Sequence, residues 1–163
     1  MKSKRIYPAF TISKKGEMSL KNGHPWVYCD ELRNGLTDRM DFLCADVFDL
    51  LPKLLEEKAD YDMIILDPPA FTKSRKTVGS AERGYKEINY RAMRLLPRGG
   101  YLATCSCSHF MENRLFVKMV MSAAKDAGVQ LKLIEARQQA PDHPILLNVP
   151  ETDYLKFYLF QVV

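Results

Sequence analysis

No stretch of the 163-residue chain is apolar for long enough to cross a membrane as a helix. Its first residues, Met1-Lys-Ser-Lys-Arg-Ile-Tyr-Pro8, are basic but lead into no apolar core, so they do not read as a secretory signal. A cytoplasmic setting with reduced thiols is expected, and no membrane partner. The four cysteines, Cys29, Cys44, Cys105 and Cys107, lack the paired Cys-x-x-Cys spacing of a zinc site, so no metal is expected. Internal repeats and low-complexity tracts are absent. Glycine is sparse, at 8 residues, and nowhere does a Gly-rich strand-turn-helix occur; the adjacent pair Gly99-Gly100 precedes a strand and reads as a turn. Strong charge of one sign is also missing. The net charge of +4 permits a nucleic-acid partner without requiring one. The positive excess is early: Lys2, Lys4, Arg5, Lys14, Lys15, Lys21 and Arg33 face Glu17, Asp30 and Glu31, a pattern that a solvated basic face also explains.

What is present is organised around Tyr61-Asp-Met-Ile-Ile-Leu-Asp-Pro-Pro-Ala-Phe71. Met63 to Leu66 is a run of large apolar residues and reads as a strand buried on both faces, as in a parallel sheet. It stops at Asp67, because Pro68 and Pro69 cannot continue a ladder. A carboxylate is thereby held at the carboxyl end of a buried strand, the edge where open α/β sheets bind ligands. Phe71 follows as an aromatic surface on which a flat ring could stack. A turn in which Asp67 merely caps the chain is the plainer reading.

The flanking elements read in order. Met40 to Ala45 is strand-like. Leu50 to Lys58 has helical spacing, with Pro52 tolerated in its first turn. Residues 72–80 form a basic polar loop. Glu82 to Leu96 is a helix with Ile88, Ala92, Leu95 and Leu96 inward, stopped by Pro97-Arg-Gly-Gly100. Tyr101 to Cys105 is a buried strand, Phe110 to Ala127 an amphipathic helix with Phe116, Val120 and Ala124 inward, and Val129–Glu135 and Tyr154–Val163 are strands. Alternation of strands and helices predicts a parallel α/β sheet with flanking helices.

Ala103-Thr-Cys-Ser-Cys-Ser-His-Phe110 lies just past the strand that follows Asp67, so it reaches the same sheet edge. A thiol there, among hydroxyls, open amides and the start of a helix, is a candidate nucleophile. Cys105, on the strand, is expected to be a small buried apolar residue; Cys107 carries the functional reading. Carbon 5 of cytosine becomes nucleophilic when a thiolate adds to carbon 6, and a carboxyl group at the ring nitrogen eases that addition. One Cys and one Asp facing each other across a flat slot meet that need, as Cys107 and Asp67 would.

The strand ending in Asp67-Pro-Pro-x-Phe71 resembles the active-site motif of S-adenosylmethionine-dependent methyltransferases that modify bases. From Asn34 onward the chain resembles the class I large-subunit ribosomal RNA cytosine-5 methyltransferases that carry an N-terminal PUA domain. The matching pieces are Asn34-Gly-Leu-x-Asp-Arg-Met-Asp-Phe42, Ala45-Asp-Val-Phe-Asp49, Leu66-Asp-Pro-Pro-Ala-Phe71, Arg83-Gly-Tyr-Lys-Glu-Ile-Asn89, Leu96-Pro-Arg-Gly-Gly100, Ser106-Cys-Ser108, Gln139-Ala-Pro-Asp-His-Pro144 and Tyr154-Leu-Lys156. The resemblance implies a Rossmann-like methyltransferase sheet over residues 33–163 and S-adenosyl-L-methionine as cofactor. It implies Cys107 as nucleophile, Asp67 as its catalytic partner, and Asp46, Phe48, Asp67 and Pro68 on the cofactor. Lys73, Arg75, Lys76, Arg83 and Tyr85 would face ribosomal RNA, and Asp142-His143 would line the site.

Residues 1–32 resemble the opening of a PUA domain, a small RNA-binding β-barrel: a basic strand, the Lys14-Lys-Gly16 turn, then His24-Pro-Trp-Val-Tyr28. Here the chain departs from the family pattern. Leu32 runs directly into Arg33-Asn34, where the family has the rest of the barrel, a linking domain and the first two Rossmann strands with their glycine loop. The expectation is an internally deleted version of the enzyme, its sheet lacking the first two strands. Two further readings stay open: an inactive remnant that still binds RNA, and an amino-group methyltransferase, which needs no cysteine. The sequence leaves a homo-oligomer open.

Overall fold

The computed structural model describes residues 45–72 and 74–163. The PUA-like segment and nearly all of the expected 40–45 strand therefore lie outside the described residues, as does Lys73.

Helix α1 (Val47–Glu56) starts where Asp46 caps it, its carboxylate accepting from the Phe48 amide at 2.8 Å. Val47 and Leu51 are its buried residues. Strand β1 (Met63–Leu66) buries Ile64 and Leu66, while Met63 and Ile65 are half-buried, so one face is less enclosed than the apolar run predicts. A short 3-10 turn (Arg75–Thr77) leads into helix α2 (Val78–Arg94). The helix thus begins four residues before Glu82, inside the stretch expected to be loop. Hydroxyls close that turn: Thr72 donates to the Ser74 carbonyl at 2.7 Å, and Ser80 to the Thr77 carbonyl at 2.9 Å. Such local side-chain bonds stand in for the missing apolar signal at a helix start.

Strand β2 (Tyr101–Ser106) is buried from Leu102 to Ser106. Helix α3 (Asn113–Ala127) begins three residues after the expected Phe110. It ends at Gly128, whose φ of 70° is the left-handed cap that glycine adopts at no steric cost. Strands β3 (Leu131–Arg137) and β4 (Lys156–Val162) follow, separated by a long connection with a second 3-10 turn at Pro150–Thr152.

The four strands lie in the order β1-β2-β4-β3. β1 and β2 are parallel, but β4 runs antiparallel to both β2 and β3. The sheet is mixed, which corrects the expected parallel sheet: β3 returns into β4 without a crossover helix, so the two must run in opposite directions.

Registers align Ile64 with Leu102 and Phe160, and Leu66 with Thr104 and Tyr158. Residues paired across strands point to the same side. Ile64, Leu66, Leu102, Tyr158, Phe160 and Val162 therefore share one face, and join the buried residues of α1, α2 and α3 in a single core. The inward positions expected on α2 and α3 are all in that core. Among the described residues no helix is long and apolar enough to cross a membrane.

Candidate active site

Two parallel strands end side by side, and their loops are tied together. β1 gives way to exposed Asp67 and buried Pro68. Leu66 pairs with Thr104, so Asp67 follows β1 at the level of Cys105, two residues before Cys107. The Cys107 thiol reaches back across the gap to the Pro68 carbonyl, with a sulfur–oxygen distance of 3.9 Å. Ser108 donates to the Thr72 carbonyl at 2.9 Å, which fastens the loop after β2 to the loop after β1. Both hydroxyls flanking Cys107 are buried and occupied: Ser106 donates to the Tyr85 hydroxyl at 3.0 Å. Cys107 is half-buried between them.

The two cysteines sit in different surroundings. Cys105 is buried, and its thiol is pushed up from 9.0 to about 12, first by burial and then by the charges of Asp67 and Cys107. It is the inert apolar residue expected of it.

An aromatic row continues the site toward α1. Phe48 stands 6.3 Å from Phe71, and Phe71 stands 4.5 Å from Tyr85, between ring centroids. Gly84 makes room for this row. A Cβ there would meet two Phe71 ring carbons at 3.3 Å and Phe48 at 3.8 Å. A glycine inside a helix costs about 1 kcal/mol relative to alanine, and here it lets two rings lie on the helix. Asp46 and Phe48 are thereby joined to the Asp67–Pro68 corner through Phe71.

Of the residues expected on RNA, Arg75, Lys76 and Arg83 are exposed. Tyr85 is not available to RNA: it is 0% exposed, its ring packs edge-on against Phe116, and its hydroxyl meets Ser106. Its place in the Arg83-Gly-Tyr85 motif is a packing role. Asp142 and His143 lie exposed on the long connection and approach each other at 3.9 Å. Among the described residues no three His, Cys, Asp or Glu converge to hold a metal ion.

Lys156 is the site residue to which sequence reading gave no role. It is 7% exposed, and its ammonium donates to the Ser108 carbonyl at 2.7 Å and to the Tyr154 carbonyl at 3.0 Å. The signal was in the pattern: it takes the first inward position of a strand whose later ones are Tyr158, Phe160 and Val162. A cavity of about 500 Å³ adjoins it, lined also by His109, Asn113, Arg137, Asp153 and Tyr158.

Comparison with solved structures identifies the fold. A protein described as a methyltransferase and crystallised with SAH superposes with a TM-score of 0.74 at 19% identity, over 87% of this chain and 37% of that one. Its fold is that of a methyltransferase. NSun6 from Pyrococcus horikoshii, crystallised with SFG, gives a TM-score of 0.59 at 19% identity, over 86% of this chain and 39% of that one. The methyltransferase fold is accompanied by sequence relatives. Ribosomal RNA large subunit methyltransferase I of Pseudoalteromonas translucida is 46% identical over 125 residues, covering 77% of this chain and 32% of that protein. The protein of the same name from Shewanella denitrificans is 47% identical over 124 residues, covering 76% and 31%. The chain thus spans about a third of the length of the curated relatives it matches. No family model matches it.

Proposed function

We propose that the chain transfers a methyl group from S-adenosylmethionine to carbon 5 of a cytosine in large-subunit ribosomal RNA, with Cys107 as nucleophile. The observation that carries this reading is the meeting of the two strand ends. The Cys107 thiol lies 3.9 Å from the Pro68 carbonyl, next in the chain to Asp67. The names of the sequence relatives support ribosomal RNA as substrate. The solved methyltransferases with SAH and SFG support the cofactor.

The residues fit the purine side of that cofactor. Phe48 is 39% exposed beside Phe71, and Asp46 opens the same helix with a carboxylate. Asp46, Phe48, Asp67 and Pro68 would hold it, and when bound it supplies an electrophilic methyl group. The described residues include no glycine-rich turn between a strand and a helix for its methionine end.

Carbon 5 of cytosine is a weak nucleophile. The Cys107 thiolate adds to carbon 6, and the electron pair of the 5,6 double bond becomes available at carbon 5. Asp67, hydrogen-bonded to the ring nitrogen, favours that addition. Once carbon 5 carries the methyl group, a solvent base takes its proton and the carbon–sulfur electron pair returns to sulfur, which restores the aromatic ring and the thiolate. Arg75, Lys76 and Arg83 would contact the phosphates, with Lys73 beside them in sequence.

The test is methyl incorporation into a large-subunit ribosomal RNA transcript by the parent and by Cys107→Ala. Loss of the nucleophile should lower the rate on the order of a thousandfold or more. A variant that keeps its activity would point instead to amino-group methylation, which needs no thiol. A folded parent that binds the transcript but shows no heat with S-adenosylmethionine in calorimetry would leave RNA binding as the function.

A further inference from the structure

We propose that Lys156 is a positioning residue for Cys107: its buried ammonium clamps the Ser108 carbonyl, fixes the Cys107–Ser108 turn, and supplies the positive charge against which the Cys107 thiolate forms. The inference rests on the nucleophile reading above and deepens it.

The placement follows from the sheet. Lys156 pairs in register with Ser106, the residue before Cys107. Its side chain lies on the helix-covered face, in line with Tyr158 and Phe160, where a lysine is out of place. Lysines ordinarily extend their charge to water along an apolar stem. This one ends on two backbone carbonyls, 2.7 and 3.0 Å away.

A buried cation needs a counter-charge, because desolvation is costly. Among the described residues Lys156 makes no ion pair within 4.0 Å. The negative groups it senses are Asp153 and ionised Cys107; both favour its charged form, while burial, the larger effect, lowers its pKa from the ordinary 10.5.

Asp67 at the end of β1, Cys105 on β2 and Tyr85 on α2 all interact with one another or with Cys107, and each is negative when ionised. His109, Glu112, Arg137 and Asp153 line the same cavity as Lys156.

The experiment is alkylation of the full chain by iodoacetamide across pH, with Cys107 followed as its own peptide by mass spectrometry. Lys156→Gln keeps a donor for the Ser108 carbonyl and removes the charge. Lys156→Arg keeps the charge. Lys156→Gln should slow Cys107 alkylation at pH 8 about tenfold, from the loss of one nearby opposite charge, and move the profile to higher pH with the plateau unchanged. Lys156→Arg should stay close to the parent. Parent-like rates in a Lys156→Gln variant shown folded by circular dichroism overturn the proposal. So does an equal fall in Lys156→Arg. The readout is chemical reactivity and not methylation, so the two readings fail separately: Cys107→Ala that still methylates removes the catalytic role, while the alkylation result stands.

Discussion

Cys105 and Cys107 stand two residues apart and meet opposite surroundings. Strand alternation turns Cys105 away from the core-facing Thr104 and Ser106, yet it stays buried, while Cys107 leaves the strand and opens half-way to solvent. The sequence distinguishes them because one lies within an apolar run and the other among hydroxyl residues. What it does not show is which neighbour each will meet, since Pro68 and Lys156 come from 39 residues before and 49 after Cys107. Cys105 has a measurable consequence. Its folded-state pKa is raised, so the folded chain keeps a proton that the unfolded chain gives up near 9. The stability this contributes is fully present below pH 9, declines as pH rises, and is lost above about 12. Lys156 shifts the other way, so the parent curve alone does not isolate the thiol. Cys105→Ala does. Urea unfolding of parent and variant should show a constant difference below pH 9 that turns against the parent as pH rises. A difference that does not change with pH would show that the thiol titrates normally.

At the scale of elements, Tyr85 joins α2 to the end of β2 and to the loop bearing Phe71. Its hydroxyl meets Ser106 at 3.0 Å and shares a backbone hydrogen bond with Phe71, and burial raises its pKa above the ordinary 10.0. A motif match puts Tyr85 beside Arg83, and two residues along a helix point about 200° apart. The match therefore locates the segment, and the helical period decides that Arg83 faces out and Tyr85 in. Helix identity was legible from the apolar periodicity of α2 and α3. The start of α2 was not, because hydroxyl bonds at Thr72, Ser74 and Thr77 replace an apolar stripe there. Strand direction was not legible either: β4 has the same apolar content whichever way it runs. Tyr85→Phe leaves the Ser106 hydroxyl short of its partner in a buried place, which costs about 1–3 kcal/mol. Urea unfolding should register that loss, and affinity for ribosomal RNA, measured by filter binding below the unfolding midpoint, should not change. A fall in affinity with stability intact would return Tyr85 to the RNA face.

For the whole molecule, the parallel pair β1–β2 leads into Asp67 and Cys107, and the antiparallel strand β4 brings the buried Lys156 in beside Ser106. The helices α1, α2 and α3 close one face of the sheet, and on the proposed function RNA would approach along the carboxyl edge, where Asp67 and Cys107 follow their strands. Arg75, Lys76 and Arg83 stand exposed beside that edge, on the 3-10 turn and the first turns of α2. Among the described residues none of the three lies within 4.0 Å of a carboxylate, unlike Lys86, Arg91 and Arg137, each of which is held by one. With a net charge of only +4, long-range attraction for RNA is weak, so the affinity should rest on such local contacts. If each of the three neutralises one phosphate, each releases a counter-ion on binding. Replacing all three by alanine should then flatten the dependence of log affinity on log salt by about two, using the single-strand coefficient of roughly 0.7 per contact. Exposed substitutions of this kind change stability little, so the unfolding midpoint should hold while binding weakens. Measuring affinity at four salt concentrations separates the cases. A lower affinity with an unchanged slope would mean that these side chains shape the surface without touching phosphate, and an unchanged affinity would move the RNA path off this edge.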